Sequence, residues 1–305
     1  MGIALFWARG GVRVDVRGKR TLSGYTEKMC CYRSVWMSLL VLVVTSGHAY
    51  SQEFTFLRSE RESSEDEIET DRDSFTPATT IAGEGRWIVE AAYSFIDNRD
   101  VPETHSYPEL LVRHGVNDWL ELRLGWNYEV GGAGSLVSGN VPSDLKEEAE
   151  IERESRIFYG GKVFLMEQAD FLPEASVLLQ GFTPTSGEEA QTTLSATYIF
   201  GWELKEGVIW DSAIRYSTSS RDDDQFNVWS PSTVVKVAIG ERWKAHAEYF
   251  GVYTDGREEE TAQYFFSPGA HYLVTSDFEV GCRVGWGLND NSPNFFSNVG
   301  IGYRY

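Results

Sequence analysis

Between Trp119 and Val130 the chain alternates strictly between apolar and polar positions. Leu120, Leu122, Leu124, Trp126, Tyr128 and Val130 fall on one face of an extended strand, and Glu121, Arg123, Gly125, Asn127 and Glu129 fall on the other. Successive side chains of a strand point to opposite faces, whereas a helix would scatter both sets around its circumference. The period of two therefore predicts a strand with one apolar and one polar wall. Its length also suits a tilted strand that crosses a bilayer, about 9–11 residues.

The same unit recurs along the chain. Arg86–Ile96, Tyr107–Val116, Trp119–Val130, Arg156–Leu165, Ala175–Phe182, Thr192–Leu204, Val208–Ser217, Phe226–Ile239, Arg242–Thr254, Gln263–Thr275, Phe278–Leu288 and Phe295–Tyr305 are the predicted strands, twelve in all. Pro231 and Pro268 lie inside two of them and, having no N–H, predict a bulge or break at each. Tight turns at Asn117-Asp118, Lys205-Glu206-Gly207, Gly240-Glu241 and Ser276-Asp277 are built from residues suited to them. They alternate with the longer polar loops Asp97–Ser106, Gly131–Ser155, Thr183–Gln191, Thr218–Gln225, Asp255–Ala262 and Asn289–Asn294. Short and long connections in alternation predict an up-and-down antiparallel barrel with short periplasmic turns and longer external loops. Within the longest loop, Ser143–Arg153 reads as a short polar helix.

Alternation alone does not say which wall faces outward, but volume and side-chain size do. A barrel of about twelve strands encloses too much space for a dry core of Leu and Val. The polar wall is small and charged, with Gly125, Gly160, Gly281, Gly285, Gly300 and Gly302 beside Arg113, Glu121, Arg123, Lys162, Arg215, Lys236, Arg283 and Arg304. The apolar wall carries Trp87, Trp126, Trp202, Trp210, Trp229, Trp243 and Trp286, several near strand ends, where interfacial aromatic girdles sit. The fold class is thus all-β, an antiparallel up-and-down transmembrane β-barrel with its apolar face toward lipid. Val299, Ile301, Tyr303 and Tyr305 end the chain on an aromatic, similar to the terminal signal read by the outer-membrane barrel assembly machinery.

Upstream of the barrel the composition changes twice. Met1–Lys28 is mildly basic, and Arg33 then precedes the apolar run Val35–Val44 and small residues, with cleavage expected after Ala49 or Ser51. That is the layout of a secretory signal peptide, so residues 1–51 are read as leader and the protein as exported to the outer membrane. Residues 52–84 form an acidic periplasmic arm, densest in Glu and Asp over Glu53–Asp73, and the barrel occupies 85–305. Such an arm is either solvated and self-repelling or, around Phe75-Thr76-Pro77, folds back to plug an opening.

Charge and cysteines narrow the function classes. The 305 residues carry a formal net charge of −19, and setting aside the leader's 7 basic and 2 acidic residues leaves about −24. Phosphate contacts need an excess of Lys and Arg, so nucleic acid is not an expected partner. Cys30 and Cys31 belong to the leader, which leaves Cys282 alone and without an intrachain disulfide.

Thr70-Asp71-Arg72-Asp73-Ser74-Phe75-Thr76, followed by Gly83-Glu84-Gly85-Arg86-Trp87 and the first strand, resembles the opening of the outer-membrane family labelled "MetA-pathway of phenol degradation". Asp73 stands where members commonly carry Pro, and the resemblance extends to Tyr305. It implies a barrel linked to the metabolism of aromatic compounds through uptake, and it supplies no catalytic residues.

The candidate lumen lining is Arg113, Glu121, Arg123, Lys162, Arg215, Lys236 and Arg283. If the Asn117 turn pairs Gly115 with Trp119, Arg113 faces Glu121 across the ladder. The charges then form either a structural network or a selectivity lining for polar solutes. His246 and His271 on neighbouring strands, with Glu248 nearby, are a weak candidate for a metal site, against their reading as plain polar lining. No cofactor is called for. His105 and Ser106 are adjacent and so on opposite faces, and no spacing sets a nucleophile beside a base, so an enzyme is not expected. The preferred function is passive passage of small molecules, including aromatic or hydrophobic ones. A non-conducting structural barrel with a plugged lumen is the alternative, and a barrel enzyme acting on lipid is the third reading.

Overall fold

A computed structural model describes residues 67–72, 74–133, 147–187, 191–221, 224–257 and 259–305. Twelve strands form one closed sheet: β1 (Trp87–Asp97), β2 (Thr104–Asn117), β3 (Leu120–Ala133), β4 (Glu147–Met166), β5 (Glu174–Ser186), β6 (Thr193–Lys205), β7 (Val208–Arg221), β8 (Asp224–Ile239), β9 (Trp243–Asp255), β10 (Ala262–Thr275), β11 (Phe278–Gly287) and β12 (Phe295–Arg304). Each strand pairs antiparallel with its sequence neighbours, and β12 closes on β1 from Ile88↔Arg304 to Asp97↔Phe295. Closure leaves no sheet edge, so every strand has a partner on both sides, as a wall in lipid requires. The leader and residues 52–66 of the expected arm lie outside the described residues.

The faces divide as the alternation predicts. Leu122, Leu124, Tyr159, Leu179, Leu194, Ile214, Val299 and Ile301 are exposed outward, while Arg113, Glu121, Lys162, Thr197, Glu248 and Arg283 are buried inside. Two aromatic belts ring the outside. Near the short turns are Trp87, Trp119, Trp202, Trp210, Trp243 and Tyr303, and toward the loops are Tyr107 against Tyr128, Tyr216 against Trp229, Tyr253 against Tyr264 and Trp286 against Phe295. Leu122 and Leu124 lie between the belts, in the apolar band that faces acyl chains. Free Cys282 is also exposed on this outer wall.

Local chemistry explains the connections. In the β2–β3 turn the Asn117 side-chain oxygen accepts the N–H groups of Trp119 (3.0 Å) and Leu120 (2.9 Å), an Asx turn. Gly207 and Gly240 take positive φ of 73° and 69° in their turns, which a side chain would resist.

One expectation is corrected here, and at each proline it is the local break, not the bulge, that forms. Ser143–Arg153 is no helix across its described part: Glu147 onward is β4, pairing with β3. Neither Pro231 nor Pro268 makes a bulge. Pro231 stays in register opposite Ile214, and Pro268 opposite Ala247. Each proline leaves only a local gap on its other side, where the missing N–H would have donated. The bulge lies instead at Pro108–Glu109, between Tyr107↔Tyr128 and Leu110↔Trp126, with Glu109 at a φ of 44°. That extra residue lets Ser106, Glu109 and Leu111 all face inward on one strand.

Leu122→Arg is expected to destabilise the barrel by roughly 2–4 kcal/mol in urea titrations of folding into lipid vesicles. An unchanged midpoint would place Leu122 away from lipid.

Candidate functional site: a segment clamped inside the lumen

Residues 67–72 and 74–82, before β1, run inside the barrel rather than into solvent. Ile68, Thr70, Asp71, Arg72, Ser74, Phe75, Thr76, Ala78, Thr79 and Ala82 are all buried. This part of the expected arm is therefore a plug. It enters beside the short turns, where Ile68 donates its N–H to Ser276 (2.7 Å) and Arg304 donates to the Glu67 carbonyl (3.1 Å). It leaves through Gly83-Glu84-Gly85, whose glycines have φ of 80° and 71°. A Cβ on Gly115 would lie 1.7 Å from the Gly83 carbonyl oxygen, so the exit needs glycine on the wall as well.

A pair of like charges organises the wall around the plug. The β2–β3 register sets Arg113 directly opposite Arg123, and Gly115, not Arg113, opposite Glu121. Two guanidinium groups facing each other across a ladder repel. Asp71 of the plug resolves this: its Oδ2 accepts from Arg123 (2.5 Å) and Lys162 (2.7 Å) and lies 4.0 Å from Arg113. Glu121 adds a second counter-charge, 2.9 Å from Arg113 and 3.4 Å from Arg123. The other Asp71 oxygen accepts the Ala78 N–H (2.9 Å) and so closes the plug into a compact loop.

Wall carboxylates hold the plug's remaining donors. Glu90 accepts the N–H groups of Asp71 and Arg72 (3.0 and 3.1 Å). Glu248 accepts Phe75 N–H (2.9 Å), Thr76 N–H (2.7 Å) and the Thr76 hydroxyl (2.7 Å). Glu279 accepts from Thr70, Glu121 from the Ala82 N–H, and Glu174 from Thr79. In return Lys162 donates to the carbonyls of Ala78 and Thr80, and Arg72 Nε donates to Ile301 O. Buried main-chain groups outside regular structure must find partners, and charged acceptors give the stronger bonds.

The β12 wall is shaved to fit. A Cβ on Gly302 would sit 2.3 Å from Thr70 Cγ2, and one on Gly300 2.5 Å from an Arg72 nitrogen. Both glycines were read from sequence as small lumen residues, and the surface they clear belongs to the plug.

Toward the external loops the lumen turns apolar. Phe75 at the plug tip stacks on Phe250 (centroids 4.3 Å apart, 8° between planes) beneath the Arg215 guanidinium, 5.0 Å from the ring. Ile96, Phe226, Val228, Val252, Phe265 and Phe296 extend this cluster, and Leu111, Phe158 and Phe182 form another patch on β2, β4 and β5.

Of the other residues singled out from sequence, Arg283 lies 3.1 Å from Glu248, and Lys236 lies 3.3 Å from Glu69 and 3.6 Å from Asp211. His246 and His271 are offset by two residues, since His246 pairs with Gly269 and His271 with Lys244. They still meet, Nδ1 to Nε2 at 2.8 Å, and His271 lies 3.6 Å from Glu279. Glu248 is committed to the plug and Arg283, and among the described residues no group of three His, Cys, Asp or Glu could hold a metal ion. His105 bonds Tyr93 on the outer wall while Ser106 bonds Asn127 inside, so the two do not act together.

Residues 70–305 match the model of the family described as "Putative MetA-pathway of phenol degradation". The chain belongs to this family. The match begins at Thr70, within the clamped plug. A comparison by sequence with curated proteins finds no match. Among solved structures, the COG4313 outer membrane channel from Pseudomonas putida F1 is similar at a TM-score of 0.51 and 11% identity, covering 78% of this chain and 100% of that one. The NanC porin gives a TM-score of 0.46 at 10% identity, covering 71% and 98%. At such identity the likeness is one of fold, an outer-membrane barrel.

Replacing Asp71 with Asn should cost on the order of 3–5 kcal/mol, because it leaves Arg113, Arg123 and Lys162 short of a buried counter-charge. In a Cys282→Ser background, a cysteine placed at Thr76 should react slowly with a bulky water-soluble thiol reagent and quickly once Asp71→Asn is added. Equal rates would mean that Asp71 does not hold the plug.

Proposed function

We propose that this chain is an outer-membrane channel for small hydrophobic or aromatic solutes, gated by residues 67–82. The carrying observation is the apolar cluster of Phe226, Val228, Phe250, Val252, Phe265 and Phe296 inside the lumen, capped by Phe75. A pore for ions or sugars lines its route with polar groups, because a desolvated polar solute costs several kcal/mol against an apolar wall. An aromatic solute meets no such penalty, and a ring leaving Phe250 can be replaced by a solute ring. The family's association with phenol degradation agrees with this reading.

Passage requires the plug to shift, since its tip stacks on the apolar cluster and its stem crosses the charged layer nearer the turns. Movement of a clamped segment is an order–order or order–disorder transition of the kind that gates other proteins. The plug begins at residue 67 beside the β10–β11 turn, so a pull or a partner acting there would act directly on it. The ion pairs and the close packing favour the second reading, a plugged structural barrel, and one experiment separates the two.

Deleting residues 67–82 should raise single-channel conductance in planar bilayers several-fold and should speed toluene entry into cells with an intact lipopolysaccharide layer. The unaltered chain should admit toluene faster than cells lacking it. A barrel that admits no toluene, with or without the plug, is structural and not a channel.

A further inference from the structure

The apolar layer of the lumen is interrupted on one side. From Phe182 the β5 positions 180 and 178 follow on the same face, and across the ladder β6 sets Thr193, Ser195 and Thr197, with no aromatic ring among them. Gln180 on β5 lies directly across the ladder from Ser195, and Thr197 lies across from Leu178. All three polar side chains are more than nine-tenths buried. Yet among the described residues both Gln180 side-chain polar atoms and the Ser195 and Thr197 hydroxyl oxygens have no hydrogen-bond partner. Buried side-chain amides and hydroxyls rarely go unpaired, because each costs about 1–3 kcal/mol when left so.

On the β7 side Ser217 and Arg215 lie across the ladder from Ser195 and Thr197. The residue facing Gln180 from β4 is Gly160, which has no side chain to offer and stays half-exposed. The plug's hydrogen bonds run to β1, β2, β3, β4, β5, β8, β9, β11 and β12. Next to the patch, Phe182 continues along β5 on the same face, with Phe158 beside it at 5.8 Å between centroids. An apolar shelf thus adjoins an amide and two hydroxyls that both donate and accept.

We propose that Gln180, Ser195 and Thr197 form a subsite for the hydroxyl of a neutral solute whose apolar body rests on Phe158 and Phe182. The inference rests on the channel reading and adds to it a preference: hydroxylated over unsubstituted hydrocarbons. A hydroxyl both gives and takes a hydrogen bond and so satisfies Gln180 Oε1 together with a neighbouring hydroxyl, which a bare hydrocarbon cannot do. An ordered water can fill the same bonds and is the competing occupant.

The test uses the full-length barrel folded in deuterated detergent micelles, with Leu and Val methyl groups labelled, and benzyl alcohol and toluene as probes. Benzyl alcohol should shift the Leu178 methyl resonances saturably. Gln180→Met and Thr197→Val, each close to the natural side chain in volume, should each weaken that binding about three- to tenfold and leave the toluene response unchanged. Slower gel migration on heating checks that each variant is folded, and either one alone suffices. Equal affinity for benzyl alcohol in the unaltered chain and the variants would overturn the subsite, as would equal losses for both probes. No shift of Leu178 by the alcohol would assign the site to water alone. Toluene entry into cells reports the channel separately: entry that persists with no alcohol preference removes the subsite and keeps the channel.

Discussion

Two arginines facing each other on adjacent strands are the constraint from which the interior follows. Arg113 and Arg123 occupy opposed positions in the β2–β3 ladder, with Lys162 on β4 close by, and all three are buried. A wall bearing that much positive charge in so small a space is not stable without anions placed among it. Glu121 supplies one from the wall. Glu90 supplies a second, 3.1 Å from Arg113, and Asp71 adds a third from the segment before the first strand, which fixes where that segment must run. The barrel and its plug are therefore one folding unit, since neither has its charges balanced alone.

Once Asp71 is anchored, the layering of the lumen follows. Near the turns, where the plug has both its strands, the wall offers carboxylates to its N–H groups and glycines to its bulk. Farther up only the tip remains, and Phe75 meets rings instead of charges. The wall residues read at first as a selectivity lining thus spend most of their hydrogen bonds on the protein's own chain. On the proposed channel reading, selectivity passes to the layer above, where Phe75 meets a cluster of Phe, Val and Ile.

Much of this architecture is legible in the sequence because alternation, turn residues and aromatic placement act locally. Leu122 and Arg123 declare their faces without reference to any distant residue, and Asn117 fixes its turn by bonding two residues ahead. Register is different. Whether Arg113 meets Glu121 or Arg123 depends on two residues in the turn, and that difference turns an attractive pair into a repulsive one needing a third partner. The plug was legible only as one of two readings of the arm, for a related reason. Thr70–Thr76 is short, polar and without period, so it carries no signal of burial. Its partners, Glu90, Glu248 and Glu279, lie as far as 209 residues away along the chain. The hint was indirect: glycines at 300 and 302 on a strand that otherwise needs none.

Amide hydrogen exchange at Phe75 and Thr76 tests the clamped plug most directly. Both N–H groups are held by Glu248, deep in the lumen and far from any strand ladder. The account predicts that they exchange orders of magnitude more slowly than an open chain, at rates close to those of the β9 amides. Exchange at open-chain rates in a folded, heat-modifiable barrel would contradict it, because the segment would then lie outside the lumen.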